Sequence, residues 1–362
     1  MNRTIFYNLR KRLGKNIKIN RGAKIIGILS GAHPALAEVF QCFTNTFFSA
    51  LGPWVPGRKP NPLFHLIKYI ITGVRVAIFH RPHVVFIEGT SPSSVIAPIL
   101  RFFLPKVRIF AFVAEDVFYK VLRNPLGLRS GLVRFGINRV DFILATGHML
   151  AEQVKMVFPK KELIVMYPKI NSERLNQLLS IQYDPDAPYI LQIGGGNQNC
   201  KGIDITISLL PAIKEMCPNS HLVILGYEAN DLKVNSDNLI IPGRVSDVGL
   251  YLRRSCLMIH PGRGDAFPVA TLESMAAGVP PMVSNHTGTR ELLEQVEPML
   301  VRNLSIDDFK SGLAWFLQLT PEEKKRLSGK CRERLLNFLE RDLVLTNERG
   351  IQRIEEIIES VK

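Results

Sequence analysis

The sequence has few cysteines, and none of them is paired in a short motif. The five cysteines are odd in number and lie far apart, at Cys42, Cys200, Cys217, Cys256 and Cys331, and no C-x-x-C pair occurs. Disulfide frameworks and structural zinc sites depend on such clusters. The cysteine pattern therefore excludes both and favours a reducing compartment.

Long apolar runs are also missing. No uncharged apolar stretch reaches the eighteen or so residues that a membrane-spanning helix needs. The opening residues, MNRTIFYNLRKRLGKN, are basic but contain no apolar core or cleavage site, so they do not indicate a secretory signal. We therefore expect a cytoplasmic protein, with peripheral attachment at the inner face of the membrane left open. The 362 residues suffice for two globular domains.

Acidic residues are scarce in the first half of the chain. Residues 1–180 hold 26 Lys and Arg but 8 Asp and Glu, whereas residues 181–362 hold 20 and 24. This imbalance predicts an anionic partner for the first half, with solubility alone as the alternative. The candidate partners are anionic lipid, a lipid-linked phosphate acceptor and nucleic acid. No aromatic-basic recognition motif is present, so we expect no nucleic-acid partner.

Buried strand patterns alternate with helical patterns over residues 23–168 and again over residues 189–284. Continuous apolar runs of this kind are typical of parallel strands covered on both faces. The segment Ile181–Pro188 contains two prolines and two aspartates, which indicate a linker. The predicted fold class is α/β, with two Rossmann-like domains facing a cleft. The predicted domains are residues 1–180, residues 188–340 and a C-terminal helix, residues 341–362, that packs back on the first domain.

The stretch RGDAFPVATLESMAAG, Arg263–Gly278, carries the strongest chemical signal. Pro268 suits the first turn of a helix and Gly278 the residue after its end, so a helix is predicted from Pro268 to Ala277. The first N–H groups of that helix form an anion site suited to a diphosphate. Asp265 and Glu273 would lie on either side of the diphosphate, where carboxylates can accept sugar and ribose hydroxyls.

This stretch resembles the signature of retaining glycosyltransferases of the GT-B fold, family 4, in which seven residues separate two glutamates. The resemblance is strong over about residues 188–295, where Lys201-Gly202 also matches and Gly243-Arg244-Val245 is similar to the family's base-contacting loop, and it is only topological over the first half. It implies transfer of a sugar from a UDP- or GDP-linked nucleotide-diphosphate sugar to an acceptor hydroxyl. It implies neither a metal nor another cofactor. The acceptor that it favours is a glycan or a lipid-linked saccharide.

The resemblance also implies a set of site residues. Lys201 would neutralise the diphosphate, Asp265 would contact the sugar, and Glu115 lies near the position of a donor-contacting histidine in relatives; these three are the predicted catalytic residues. The predicted donor-binding residues are Gly31, Gly195, Gly196, Lys201, Arg244, Val245, Arg263, Asp265, Ala266, Phe267, Pro268, Val269, Thr271 and Glu273. No metal ligand is predicted, because the D-x-D sequence at Asp184 lies in the linker rather than after a strand.

Two departures from the family pattern bear on these predictions. Asp265 is one methylene shorter than the family's glutamate, so the donor sugar must be fitted differently. Gly196 stands where many relatives have a diphosphate-binding arginine, so charge neutralisation would fall on Lys201 with help from Arg263 or Arg244. The same fold could also serve a sugar-nucleotide epimerase or a non-catalytic partner subunit, and these alternatives stay open.

Two further stretches allow more than one interpretation. Pro62–His80 is apolar, with Lys68 and Arg75 seven residues apart, which fits a buried helix with extended basic side chains or an interfacial helix on anionic lipid. The aromatic cluster Phe40, Phe43, Phe47 and Phe48 has nearly helical spacing. That spacing favours a place in the core, with an acceptor-binding slot as the alternative.

Overall fold

A computed structural model of the protein describes residues 23–29, 46–50, 62–89, 93–114, 116–195, 197–232, 234 and 236–361. The chain divides into two compact units, residues 1–168 with 344–362 and residues 169–343. The sequence pattern predicted a domain boundary after residue 180, whereas in the structure the first unit ends at residue 168. Residues 169–180 pack with the second unit.

Parallel strands form the sheet of the first unit, in the order β2-β1-β3-β4-β5-β6. The strands are β1 (Ile25–Leu29), β2 (Thr46–Ala50), β3 (Val84–Glu88), β4 (Arg108–Val113), β5 (Phe142–Thr146) and β6 (Glu162–Met166). On one face of this sheet the Phe110 ring stacks between Phe86, at 4.7 Å, and Phe142, at 4.8 Å. These rings form part of the core beneath the helices.

The helices of the first unit cover this sheet. They are α1 (Pro62–His80), α2 (Ile96–Phe103), α3 (Val117–Arg123), α4 (Leu128–Ile137), α5 (His148–Val157) and, near the end of the chain, α16 (Leu343–Glu359). Ile354, Ile357 and Ile358 of α16 are buried in the same apolar cluster as Phe86 and Phe110. The C-terminal helix is therefore part of the core of the first unit.

Two stretches of the first unit that allowed more than one interpretation can be compared with the structure. Phe47 and Phe48 belong to strand β2, although the spacing of the aromatic cluster is nearly helical; Phe40 and Phe43 lie outside the described residues. The apolar stretch Pro62–His80 forms α1, as its length favours. Within the described part of the chain, no helix combines the length and the hydropathy needed to cross a bilayer.

The second unit contains another sheet of parallel strands, in the order β12-β11-β10-β7-β8-β9. Its strands are β7 (Tyr189–Ile193), β8 (His221–Leu225), β9 (Leu239–Gly243), β10 (Ser255–His260), β11 (Pro281–Ser284) and β12 (Val301–Arg302). Counted from β7, this is the 3-2-1-4-5-6 order of a Rossmann sheet. The order reverses between β7 and β10, where such sheets place their ligands.

Helices connect the strands of the second unit. They are α6 (Ser172–Leu179), α7 (Gln198–Lys201), α8 (Ile203–Ser208), α9 (Leu210–Met216), α10 (Ala229–Leu232), α11 (Gly249–Leu252), α12 (Val269–Ala277), α13 (Arg290–Leu293), α14 (Ile306–Gln318) and α15 (Pro321–Asn337). Helix α12 begins one residue later than predicted, because Pro268 has an extended ψ of 121° and is its N-cap. Gly278 ends it in the left-handed conformation, with φ of 78°.

Candidate functional site

The residues singled out in the sequence follow the central strands of the second sheet. Lys201 lies shortly after β7, and Asp265 lies in the loop between β10 and α12. Strands β7 and β10 are hydrogen-bonded neighbours on either side of the point where the strand order reverses. The topology therefore brings together two residues that are 64 positions apart in the chain.

An ion pair joins these two residues. Lys201 Nζ donates to Asp265 Oδ2 over 2.5 Å, and the same oxygen lies 2.8 Å from Nε2 of His260. The His260 side chain is fully buried, and the Asp265 side chain is 11% exposed. The carboxylate thus lies between a buried imidazole and an ammonium group that still reaches solvent.

The two charges stabilise each other against burial. Burial alone would raise the pKa of Asp265, but the Lys201 ammonium and the hydrogen bond from His260 outweigh it and hold that pKa well below its usual range. Burial alone would lower the pKa of Lys201, whereas Asp265 raises it, and the net shift is upward. Both groups are therefore charged near neutral pH.

The backbone around Lys201 is held firmly. Asn197 caps the short helix α7 by accepting hydrogen bonds from the backbone N–H groups of Asn199 and Cys200. The Lys201 carbonyl accepts from Gln192 Nε2 over 2.8 Å. Gly202, with φ of 66°, follows directly, and a Cβ there would lie 1.9 Å from the Pro261 carbonyl oxygen. The glycine of the Lys-Gly pair is therefore required by close backbone approach.

Sequence reasoning did not find His260. It is the last residue of β10, where a polar side chain directly follows the buried apolar run CLMI. That polar residue, five residues before Asp265, was the available signal. Its Nδ1 is buried with no hydrogen-bond partner among the described residues, whereas its Nε2 contacts Asp265.

The N-terminus of α12 opens next to Asp265 in the chain. The N–H groups at a helix start can face an anion, although here the Thr271 N–H already donates to the Pro268 carbonyl over 3.2 Å. The Thr271 hydroxyl is already engaged, since it donates to the Pro268 carbonyl at 2.7 Å and lies 2.9 Å from the hydroxyl of Thr289. Val269 is partly exposed, whereas Thr271 is fully buried.

Ala266 and Phe267 shape the loop from inside the unit. Both are buried, and the Phe267 ring packs against Phe338 with centroids 5.5 Å apart. The loop backbone is also fixed, because the Gly288 N–H donates to the Asp265 carbonyl over 2.9 Å. These two side chains therefore support the loop that carries Asp265.

Glu273 takes part in a second ion pair. Arg174 Nε donates to Glu273 Oε1 over 3.2 Å, and Arg174 Nη1 donates to Asp247 Oδ1 over 2.9 Å. Glu273 lies in the second turn of α12, Arg174 near the start of α6, and Asp247 in the loop after β9. Arg174 lies 99 residues before Glu273, so no local spacing in the sequence pointed to it.

The predicted basic residues do not converge on one point. Both terminal nitrogens of Arg263 donate to the Asp204 carboxylate, each over 2.7 Å, and Nη1 also donates to the Asn199 carbonyl. Arg244 is exposed and Val245 partly exposed in the loop after β9. Of the candidate cations, Lys201 is the one that the structure pairs with Asp265.

The remaining predicted residues fall into two groups. Gly195 follows β7 with φ of 144°, and a Cβ there would meet nothing within 4 Å, so the backbone faces open space. Gly31, Gly196 and Glu115 lie outside the described residues. Within the described ranges, no cluster of His, Cys, Asp and Glu side chains has the arrangement of a metal site.

Comparison with known proteins agrees with this geometry. Residues 187–318 match the family described as "Glycosyl transferases group 1". The matched segment includes β7, β10, the Lys201–Asp265 pair and the whole of α12. The predicted resemblance to this family is confirmed.

One curated relative comes from Escherichia coli. It is named UDP-Gal:alpha-D-GlcNAc-diphosphoundecaprenol alpha-1,3-galactosyltransferase, and it is 28% identical over 133 residues. The aligned part covers 34% of this chain and 34% of the relative. The similarity thus spans about a third of that enzyme's length.

Solved structures match over nearly the whole chain. Sucrose-phosphate synthase from Thermosynechococcus elongatus superimposes with a TM-score of 0.68 at 13% identity, covering 93% of this chain and 99% of its own. The Anabaena protein HepE, solved with UDP and glucose, gives 0.62 at 13% identity, covering 93% and 100%. At such identities the likeness shows the fold, and the prediction of an α/β GT-B architecture with Rossmann-like units is confirmed. Residues 187–318 are thus similar in sequence to the group 1 glycosyl transferases.

Proposed function

We propose that this protein is a glycosyltransferase that moves a sugar from a nucleotide-diphosphate sugar to an acceptor hydroxyl, with retention at the anomeric carbon. The observation that carries the proposal is the Lys201–Asp265 pair, with a 2.5 Å contact, in the loops after β7 and β10. A charged pair next to a helix N-terminus, at the reversal point of a Rossmann sheet, suits a phosphorylated ligand.

The diphosphate is assigned to Lys201 and the first N–H groups of α12. An ammonium group and aligned peptide dipoles both stabilise negative charge, and the charge on the diphosphate grows as the glycosidic bond breaks. Arg263 would make at most a secondary contribution, because its guanidinium binds Asp204 through both terminal nitrogens. Arg244, which is exposed in the loop after β9, is proposed as the helper cation.

The two carboxylates are assigned different partners. Asp265 would accept hydroxyl groups of the donor sugar, and Glu273 would accept hydroxyls of the ribose. Lys201 and His260 both contact Asp265 at Oδ2. A sugar hydroxyl would therefore meet the carboxylate from the Oδ1 side. The shorter side chain of aspartate is expected to affect which sugar fits.

The reaction follows from these assignments. The bond between the anomeric carbon and the leaving phosphate oxygen breaks, and the acceptor oxygen bonds to that carbon from the same face. The acceptor proton passes to the leaving phosphate, so no separate enzymatic nucleophile is required. Most of the rate enhancement would come from positioning and from stabilisation of the leaving group. Glu115 remains a proposed catalytic residue, and no metal or other cofactor is assigned.

We assign the acceptor to the first unit and expect it to be a lipid-linked or membrane-associated saccharide. The segment that contains α3 and α4, residues 117–140, holds five Lys and Arg residues and no acidic residue. It also exposes apolar side chains, namely Leu122, Leu126, Leu128, Leu132 and Phe135. Exposed apolar side chains among basic residues suit the interface of an anionic membrane. The cytoplasmic face of such a membrane is the proposed location.

The test is incubation of the purified chain with UDP- and GDP-linked hexoses, with and without lipid-linked saccharide acceptors. We expect release of the nucleoside diphosphate together with a glycosylated acceptor, and undiminished activity in EDTA. Glu273→Ala should bind the nucleotide more weakly, with Glu294→Ala as a control on the partly exposed Arg290–Glu294 pair of the same unit.

Other outcomes would separate the alternatives. Conversion of the donor into an isomeric nucleotide sugar would favour an epimerase. Nucleotide binding without hydrolysis or transfer would favour a non-catalytic subunit. Equal nucleotide affinity for wild type and Glu273→Ala would overturn the ribose assignment.

A further inference from the structure

The ion pairs of Arg174 connect the signature helix to a separate loop. Arg174 Nε binds Glu273 on α12, while Nη1 binds Asp247 in the loop after β9. That loop begins with Gly243-Arg244-Val245, the stretch to which the resemblance assigns contact with the base. One guanidinium therefore joins the proposed ribose carboxylate to the proposed base loop.

Two of the three residues in this connection, Asp247 and Arg174, have further contacts that hold them in place. Asp247 Oδ1 also accepts from the backbone N–H of Gly249 over 2.8 Å, which holds the loop at the start of α11. Asn171 caps α6 by accepting from the backbone N–H groups of Glu173 and Arg174. The Arg174 backbone is thus anchored at a helix start, and its side chain crosses to two other elements.

The pairing also selects one oxygen of Glu273. Arg174 donates to Oε1, and the Glu273 side chain remains 18% exposed. An arginine presents its N–H groups in a planar, rigid fork, so two simultaneous bonds determine the orientation of both carboxylates. A carboxylate held at Oε1 can present Oε2 in a fixed direction to a pair of vicinal hydroxyls.

We propose that Arg174 is a positioning residue for the nucleoside: it orients Glu273 toward the ribose hydroxyls and fixes the base loop through Asp247. This role rests on the proposed function, because it takes a nucleotide as the ligand and Glu273 as its ribose contact. Arg174 itself does not touch the reacting atoms.

The test measures ribose recognition directly. Binding of UDP and GDP to the full chain is measured by calorimetry, and the nucleotide that binds is compared with its 2′-deoxy form. In wild type, loss of a hydrogen bond to a carboxylate should weaken binding about 10- to 100-fold. In Arg174→Ala, binding of the ribonucleotide should weaken and the ratio between the two forms should fall toward unity. In transfer assays KM for the donor should rise more than kcat falls.

Further variants separate positioning from folding. Arg174→Lys keeps the charge but loses the fork, so it should retain only part of the discrimination. Asp247→Asn weakens the other end and should give an intermediate ratio. Arg334→Ala is the matched control, because Arg334 pairs with Asp342 over 3.0 Å in the same unit and has similar exposure, 18% against 21% for Arg174.

The outcomes decide between the claims. An unchanged ratio in folded Arg174→Ala, with equal weakening for both nucleotides, would mean that Arg174 acts only through general stability and would overturn the positioning role. If that variant does not fold, the ratios of Arg174→Lys and Asp247→Asn decide in the same way. Failure of wild type to bind UDP or GDP would instead overturn the proposed function and this role with it. A wild type that binds both forms equally would overturn the ribose assignment to Glu273.

Discussion

The ammonium of Lys201 and the carboxylate of Asp265 are in contact at 2.5 Å, although 64 residues separate them in the chain. Each follows one of two adjacent parallel strands, β7 and β10, so the sheet brings the pair together. His260 contacts the same carboxylate oxygen from the buried side at 2.8 Å. A diphosphate that binds Lys201 would share the ammonium with Asp265, which links phosphate binding to the position of the sugar carboxylate.

Removal of the charge of Asp265 should lower stability in a pH-dependent way. Asp265→Asn leaves the half-buried Lys201 ammonium without its counterion, and we expect the free energy of unfolding to fall by about 1–3 kcal/mol at pH 7. The pKa of Asp265 is depressed in the folded state. Its contribution is therefore complete above the unfolded value of about 3.9 and is lost as the pH falls below it.

Urea unfolding of both proteins between pH 3 and pH 7 measures this effect. The difference between wild type and Asp265→Asn should stay constant from pH 7 to about pH 5 and shrink below about pH 4. Asp204→Asn provides a comparison, because Asp204 pairs with Arg263 but its side chain is 63% exposed. A difference that is small at neutral pH would show that the pair adds no net stability.

Lys201→Met should weaken the binding of diphosphates more than that of a nucleoside. A hydrogen bond to a charged group contributes about 1.5–3 kcal/mol, so we expect UDP or GDP affinity to fall about 10- to 100-fold. Affinity for uridine or guanosine should change little, because the nucleoside carries no phosphate. The comparison needs calorimetry on both ligands, with Lys310→Met on α14 as the control, since Lys310 is exposed elsewhere in the same unit. If the affinity for the nucleoside falls as much as the affinity for the diphosphate, Lys201 does not act through the phosphates.

Thr271→Val should affect stability rather than ligand binding. The buried Thr271 hydroxyl donates to the Pro268 carbonyl and also meets Thr289, so its removal leaves a buried polar group short of a partner. We expect a loss of about 1 kcal/mol in the free energy of unfolding and unchanged diphosphate affinity. Urea titration and calorimetry on one preparation give both values. A marked loss of diphosphate affinity without destabilisation would instead support the donor-binding role that the sequence predicts for Thr271.

Much of the second unit was predictable because its signals are local. Apolar runs located β7, β8, β9, β10 and β11, and Gly278 marked the end of α12. The N-cap at Pro268, rather than a first helical residue there, depends on a single ψ angle of 121°. Proline fixes φ but leaves ψ free, so the sequence defined this helix start only to within one residue.

The contacts of the site were less accessible to sequence reasoning, because they are tertiary. Arg174, Asp247 and Glu273 lie on three elements far apart in the chain, and no periodicity relates them. Arg263 lies in the signature loop, where the sequence suggested a residue that binds phosphate, but its guanidinium donates to the Asp204 carboxylate. In the first unit the aromatic residues Phe40, Phe43 and Phe47 have nearly helical spacing, but parallel pairing with β1 makes Thr46–Ala50 a strand.

The exposed leucines of the segment 117–140 offer the sharpest test of membrane attachment. Leu126, in the connection between α3 and α4, is 97% exposed, and Leu128, the first residue of α4, is 84% exposed. Insertion of two leucines into the interfacial region stabilises the bound state by a few kcal/mol, so Leu126→Ser with Leu128→Ser should weaken vesicle binding by at least about tenfold. Co-sedimentation with vesicles of phosphatidylglycerol and phosphatidylcholine measures this.

The control is Leu250→Ser, a leucine that is 58% exposed in the second unit. Binding should also decline as phosphatidylglycerol is removed or salt is added, because the segment is basic. Equal sedimentation of the double variant and wild type would exclude this segment as the attachment surface, and absence of wild-type binding would overturn membrane attachment altogether.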